Sequence, residues 1–385
     1  MSKKSKLNPD DVWRYVDEVF GADEHAKRVQ SLASAVIGVL ASESLAITAI
    51  GQGLAHTCGL KTRYAVKQVD RLVGNDKVDV WGYFRQWVPY VVAGRKQIVV
   101  ALDWTEFDAD GHSTIALNLL TDHGRAIPLL WRTVEKANLK DRRNEYEDSV
   151  LQRLRETLAE DVGVTVVADR GFMDTKLMAF LRDTLGFDYI IRLRGNVAVT
   201  SASGEERKAA EWVGRNGQTK TLRQAKLTAH QFTVPTVVCK QTQGMEEPWL
   251  LAASLPEAAP ADLLKYYAKR WGIESYFRDT KDLRYGLGMS AIHTKSTARR
   301  DRLFLLSALA VVLLTLLGAA CEKAGFDRYL KANTVKTRTH SLFRQGQMVY
   351  QLIPTMEERW LVAIIQAFRD SIEERPALRT IFSAV

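Results

Sequence analysis

The chain has 385 residues, 46% hydrophobic and 26% charged, enough for a sizeable core and two or three domains or subdomains. A net charge of +9 and a pI of about 9.3 fit a nucleic-acid partner better than an acidic small molecule. Cys58, Cys239 and Cys321 lie far apart, with no CxxC, HExxH or Cys/His cluster, which argues against structural zinc and a disulfide framework and fits a reducing cytosol.

The opening MSKKSKLNPDD is basic but has no apolar run behind it, and reads as a flexible, phosphate-touching tail rather than a signal peptide. Residues 8 to about 90 read as mostly helical. Asp10 and Asp11 are placed to cap a helix starting near Val12. An apolar, Ala-rich run from Val29 to Leu45 precedes two short helices, Leu45–His56 and Lys61–Val73, separated at Cys58-Gly59 and ended by Gly74-Asn75. Two short helices around a Gly-containing turn form a helix-turn-helix pattern. Its second helix turns Lys61, Arg63, Tyr64, Lys67, Gln68 and Arg71 outward and Val66, Val69 and Leu72 inward. The outward set suits phosphates and base edges, although an ordinary helical hairpin with a solvated face has the same pattern.

From Gln97 the texture changes. QIVVALDW reads as a buried strand with Asp103 at its C-terminal end. STIALNLL and AIPLLWRT read as two more strands, joined by a tight turn at 122–125. A polar helix over Arg143–Ala159 follows, then VGVTVVADRGF as a strand ending at Asp169, a helix over Asp174–Thr184 and the strand FDYIIRLRG. This order predicts an α/β domain with a mixed sheet. Asn196–Glu247 is Gly/Ser/Gln/Thr-rich and locally basic, and reads as a small, mainly β insertion. PWLLAASL, Pro248–Leu255, returns to a buried strand.

Beyond Gly286 a linker, GLGMSAIHTKSTARRDR, leads into the uncharged run Leu303–Cys321, long enough to cross a bilayer. Arg299, Arg300 and Arg302 even imitate a positive-inside flank. Nothing else in the chain resembles a span, and Ser307, Thr315 and several alanines suit a helix packed on all sides, so the run is read as a core helix. Lys331, Asn333, Lys336, Arg338 and Arg344 cluster after it, and Glu357–Ile372 reads as an amphipathic helix suited to dimerisation.

The chemistry gathers on YAKRWGIESYFRDTK, Tyr267 to Lys281. Tyr267, Arg270, Glu274 and Lys281 fall at i, i+3, i+7 and i+14, one narrow stripe of a helix. A solvated amphipathic helix with Ile273 and Phe277 inward shares that spacing. The strand-end aspartates weigh the other way. If their strands are parallel neighbours, Asp103 and Asp169 emerge at one sheet edge, where a crossing helix adds Glu274. Three carboxylates without histidine select Mg²⁺ or Mn²⁺. Two such ions about 4 Å apart can activate a water or a 3′-hydroxyl and stabilise the leaving oxygen in in-line phosphoryl transfer. Arg270 and Lys281 then read as phosphate anchors and Tyr267 as a hydroxyl donor to the same phosphates. His112, His123 and His293 are not spaced as ligands or bases.

The spacing Tyr-(two)-Arg-(three)-Glu-(six)-Lys matches, without a gap, the YREK signature of the IS-four family of bacterial insertion-sequence DDE transposases. LDWTEFD around Asp103 and ADRGF around Asp169 resemble that family's two aspartate motifs. KTRYAVKQVDRLVGN, EPWLLAASLP, YAKRWGIESYFRDTKDLRYGLGM and KANTVKTR resemble its composite-transposon members, so the likeness runs from about residue 30 to 350.

The resemblance implies a ribonuclease-H-like α/β core with a β insertion before Glu274. It implies Asp103, Asp169 and Glu274 as catalytic residues holding two Mg²⁺ ions, with Mn²⁺ as a substitute. The reaction would be cut-and-paste transposition: a nick, attack of the freed 3′-hydroxyl to form a hairpin, reopening, and joining to target DNA. Homodimers would act in trans on paired terminal inverted repeats of double-stranded DNA, in the bacterial cytoplasm at the nucleoid and with no membrane partner. Trp249 matches the tryptophan that stacks on a flipped base at the hairpin, a position that also suits ordinary core at a strand start. The chain would divide into a helical DNA-end-binding region over 1–92, core parts over 93–195 and 248–325, the insertion over 196–247, and a helical DNA-contact and dimerisation region over 326–385. The residues leave open a nuclease or resolvase without strand transfer, a regulator descended from a transposase, a copy-out variant, and a membrane-anchored protein using Leu303–Cys321.

Overall fold

The computed structural model describes residues 9–373 and 375–382, so the basic tail read over residues 1–8 lies outside the described residues. Five helices come first: α1 (Pro9–Phe20), α2 (Ala26–Ser42), α3 (Ile47–Cys58), α4 (Thr62–Val73) and α5 (Val80–Val92). The helix expected to start near Val12 begins earlier, which puts Asp10 and Asp11 inside its first turn. The helix starts at Pro9, which needs no partner for a missing N–H, and Asp11 is buried, accepting from Arg369 Nε at 3.0 Å. Helices α3 and α4 cross where Gly51 meets Val66; a Cβ on Gly51 would stand 2.4 Å from the Val66 Cα.

The α/β part follows: β1 (Gln97–Phe107), β2 (His112–Leu119), β3 (Ile127–Glu135), α6 (Arg143–Thr157), β4 (Gly163–Ala168), α7 (Thr175–Ala179, prolonged by a π turn to Thr184) and β5 (Asp188–Arg192). Next come β6 (Ala198–Thr200), β7 (Glu206–Lys208), β8 (Lys220–Leu227), β9 (Phe232–Lys240) and β10 (Trp249–Ala253). All ten strands form one mixed sheet in the order β3-β2-β1-β4-β5-β10-β9-β8-β6-β7. Strands β1, β4 and β5 run parallel, and β10 pairs antiparallel with both β5 and β9. The strands of 196–247 thus continue the sheet that carries Asp103, a junction that needs long-range pairing and has no local signature.

Strand β1 runs four residues past Asp103, a correction to the strand end expected there. Its pairing with β4 stops at Leu102↔Ala168, while its pairing with β2 continues to Phe107. Asp103 is therefore at an edge with respect to one neighbour only.

The rest is helical: α8 (Pro260–Lys269), α9 (Trp271–Lys281), α10 (Thr297–Lys323), α11 (Leu342–Leu352), α12 (Glu358–Glu373) and α13 (Arg375–Ile381). The single helix expected over Tyr267–Lys281 is two. At Arg270 the hydrogen bonds tighten to three-residue steps, Arg270 N–H to Tyr267 O and Ile273 N–H to Arg270 O, both 3.0 Å. Helix α10 begins at Thr297, earlier than the expected linker end, because Ser296 Oγ accepts from the Arg299 N–H. It is long and apolar enough to span a membrane, but 94% of its apolar window is buried against the chain, which makes it the core helix.

Helix α10 packs on β3, α2, α11 and α12. It meets α11 at two reciprocal close approaches, Gly318 against Leu342 O and Gly346 against Leu314 O. Its buried Arg302 donates to the carbonyls of Val73 and Val78, fixing the end of α4 to the core. The apolar face of α12 (Leu361, Ile364, Phe368 and Ile372) is buried within its own chain.

Candidate active site

Successive side chains of a strand point to opposite faces, and β1 divides its chemistry accordingly. Asp103, Thr105 and Phe107 face α8, α9 and α10; Trp104 and Glu106 face the α6 side. The register places Asp103 and Asp169 one residue past the last β1–β4 pair, on adjacent parallel strands. Because β5 pairs Ile191 with Ala168, Arg192 takes the same place on the third strand. One row of the sheet thus reads Asp103, Asp169, Arg192.

The α8–α9 segment crosses this row. Tyr267 Oη donates to Asp169 Oδ1 at 3.0 Å. Arg270, 6% exposed, donates Nη2 to Glu274 Oε1 at 2.7 Å and Nη1 to Asp103 Oδ2 at 3.4 Å. Its Nε is buried without a hydrogen-bond partner. Lys281 Nζ donates to Thr105 Oγ1 at 3.0 Å and to Glu106 O at 2.7 Å. The helix break at Arg270 lets Tyr267 reach one strand end while Arg270 and Lys281 reach the next strand.

Burial pushes the Asp103 carboxyl up to about 6, against the pull of Arg270 and the Trp104 N–H, with Glu274 and Asp169 adding to the rise. Burial pushes the Tyr267 phenol up to about 12, helped by Asp169. Burial lowers the Lys281 ammonium, and Glu106 and Asp108 oppose it.

Among the described residues no three acidic, His or Cys side chains stand close enough to enclose a metal ion, and Arg270 lies between Asp103 and Glu274. The donor set itself fits a hard divalent cation: it is all oxygen, and Asp103 carries a burial penalty that a cation relieves. Asp103 and Asp169 are adjacent in the sheet row, and Glu274 stands across the Arg270 guanidinium from Asp103.

Trp249 opens β10, partly buried, its ring 5.1 Å from that of Tyr267 at 73°. Before it, Glu247 binds Arg170 Nη1 at 2.7 Å and Arg192 Nη2 at 2.8 Å, and Arg192 Nη1 stands 3.8 Å from Asp169. Sequence reasoning missed Arg192, Arg170 and Glu247. The strand-end rule that singled out the two aspartates applies equally to Arg192 in IIRLRG. Also missed was the support behind Asp103: Trp104 Nε1 donates to the buried Glu147 at 2.9 Å, and Arg143 lies 4.9 Å over the indole. Burial pushes Glu147 up to about 7, against the Trp104 hydrogen bond.

The residues read as DNA-end contacts lie on one side of α4, with Lys61 at its N-cap rather than inside the expected Lys61–Val73 helix. Lys61, Arg63, Tyr64, Lys67 and Arg71 are exposed and Gln68 is half-buried. Tyr64, Lys67, Gln68 and Arg71 line a cleft of about 400 Å³ with Arg28 and Ser31 of α2. Of the histidines, His112 accepts from the buried Arg300, and burial lowers His123 to about 4.

A family described as the transposase DDE domain matches residues 94–313, more than half of the chain, including every residue of the α8–α9 crossing and its sheet row. No curated protein matches the chain.

Proposed function

The chain belongs to the DDE transposase family, and from that premise we propose that it moves a DNA element by cut-and-paste transposition. The family makes it a metal-dependent enzyme that binds and cleaves DNA. The finer reading is carried by one observation: Asp103 and Asp169 stand in register on adjacent parallel strands, with Glu274 beside them across Arg270. On this reading the three are the catalytic carboxylates and hold two Mg²⁺ ions, for which Mn²⁺ substitutes. When bound, such ions activate an attacking water or 3′-hydroxyl and stabilise the leaving oxygen.

The chain's own residues position the DNA. Arg270 is bound to two carboxylates, and a guanidinium pairs as well with phosphate, so an arriving strand draws it off Glu274 and Asp103. Lys281, held by Thr105 and the Glu106 carbonyl, offers its remaining N–H to the same backbone. Tyr267 holds Asp169 and shares a face with Trp249, which puts an indole beside the carboxylates for a base displaced during hairpin formation. Lys61, Arg63, Tyr64, Lys67, Gln68 and Arg71 read the element's end from α4, which Arg302 ties to the core. The same reading makes the core ribonuclease-H-like, places the chain in the YREK subgroup, and has it act as a homodimer on paired ends in the cytoplasm.

The test is cleavage of linear duplex DNA carrying an element end and its flank, with Mg²⁺. Wild type should yield nicks, hairpins and joined products; Glu274→Gln should bind and cut nothing; Trp249→Ala should nick but form few hairpins. A wild-type chain that binds ends without metal-dependent cleavage under any condition would leave a DNA-binding regulator instead.

A further inference from the structure

Immediately after Lys281 the chain makes a short, braced projection whose tip is apolar. Leu283 is 73% exposed and Tyr285 56% exposed, with the Arg284 guanidinium 5.0 Å from the Tyr285 ring centroid. Single exposed apolar residues are common on any surface. Three observations separate this pair from that background.

The first is rigidity. Asp282 Oδ1 accepts the backbone N–H groups of Arg284 at 2.8 Å and Tyr285 at 2.6 Å. Leu287 N–H binds Asp279 O at 2.8 Å and Gly288 N–H binds Asp282 O at 2.9 Å. Leu287 and Met289 are fully buried, and Leu287 O accepts from Leu45 N–H at 2.9 Å, which anchors the far side of the loop to the start of α3. Gly286 presses on this frame so tightly that a Cβ there would stand 2.4 Å from Asp279 O. A slack loop would fold its leucine and tyrosine inward; this one holds them out.

The second is company. Arg278 and Arg284 are exposed on either side, and Lys281 lies one residue before the turn. An apolar tip flanked by two exposed arginines is matched by a duplex, whose phosphates take the charges and whose base stack takes the apolar groups. The third is position. At 1.5 Å per residue, α9 carries the chain roughly 10 Å from Glu274 to its end at Lys281, and Leu283 stands just beyond, about three to four base steps at 3.4 Å each.

We propose that Leu283 and Tyr285 form a wedge that enters the bound DNA end and unstacks a base step about three to four base pairs from the scissile phosphate. Leu283 parts the step and Tyr285 stacks on the base that is exposed, with Arg284 on the adjoining phosphate. This assignment rests on the transposase reading above and adds to it a distortion site separate from Trp249.

The test uses the full chain and a duplex selected by it from a random-sequence pool, with 2-aminopurine placed at successive positions. Wild type should brighten 2-aminopurine at one or two neighbouring positions roughly three to four base pairs from the cut. Leu283→Ala with Tyr285→Ala should abolish that signal and weaken binding about tenfold, with an unchanged salt slope. Arg284→Ala should instead lower the slope by about one, and Tyr285→Phe should keep the signal. Because both positions are exposed, the double variant should keep the wild-type melting temperature, which separates loss of the signal from loss of fold. A signal that survives in the double variant, or a wild-type complex that cuts DNA with no such signal, overturns the wedge. Loss of dimer in the double variant, with the signal retained, assigns the tip to a second copy of the chain and overturns it too. A wild-type chain that neither binds nor cuts duplex DNA overturns the transposase reading along with it.

Discussion

Replacing Arg270 by alanine removes the cation that stands between Asp103 and Glu274. Its nitrogens lie 3.4 Å and 2.7 Å from the two carboxylates. With an effective dielectric near 20, each contact corresponds to about 5–6 kcal/mol of Coulomb energy. The Asp103 and Glu274 side chains keep 23% and 34% of their exposure, so water screens both contacts, and desolvation of the guanidinium offsets part of the rest. A net effect of about 2–3 kcal/mol remains, roughly 30- to 160-fold in an equilibrium constant at 1.36 kcal/mol per tenfold. Arg270→Ala should therefore melt earlier than wild type without metal. In the absence of DNA it should also bind Mn²⁺ about that many times more tightly, because the carboxylates lose their resident cation. Titration of free Mn²⁺ by electron paramagnetic resonance, beside melts with and without Mn²⁺, reads both effects. Cleavage should fall despite the tighter metal, since the phosphate anchor is gone. An Arg270→Ala chain that binds Mn²⁺ no better than wild type would refute the idea that this guanidinium occupies the place of the metal's charge.

Three other outcomes follow from separate parts of the molecule. Lys67→Ala with Arg71→Ala should weaken end binding and lower the salt slope by about two, and an unchanged slope in a salt titration would remove α4 from the phosphate contacts. Burial pushes Asp301 up to about 7 from its ordinary 3.8, against the Thr133 hydrogen bonds and the charges of Arg132 and Arg302. The folded chain then holds a proton that the unfolded chain has released, so the contribution of Asp301 to stability is fully present below about 4 and is lost as pH rises through about 7. Asp301→Asn should flatten that part of the melting-temperature profile, and an unaltered profile would show that other groups set it. Gly318→Ala and Gly346→Ala each put a Cβ 1.9 Å from a carbonyl oxygen of the partner helix. Each should cost about 1–3 kcal/mol in denaturant melts, and wild-type midpoints would mean that α10 and α11 slide apart without penalty.

Much of the architecture was legible in the chain because its signals are local. Runs such as QIVVAL and VTVVA are apolar and β-branched throughout, as strands covered on both faces must be, so the strands bearing Asp103 and Asp169 could be read without knowing their partners. The spacing of Tyr267, Arg270, Glu274 and Lys281 survived the helix break, since a turn of three-residue hydrogen bonds moves side chains by only a fraction of a turn. What lay beyond the sequence was whatever depends on a partner distant in the chain. Composition could not separate a core helix from a membrane span for α10, because both are apolar all round; only α2, α11, α12 and β3 packed about it decide that. Nor could it show that β6–β9 extend the sheet of β1, that Arg192 stands in the row of the two aspartates, or that Glu147 supports Trp104 from behind. The placing of Arg270 among the carboxylates is of the same kind. Periodicity put the arginine and Glu274 on one stripe, but only the register Leu102↔Ala168 and the crossing of α9 over β1 bring Asp103 to the same guanidinium, because strand pairing is set by burial across the whole sheet and not by any residue along one strand.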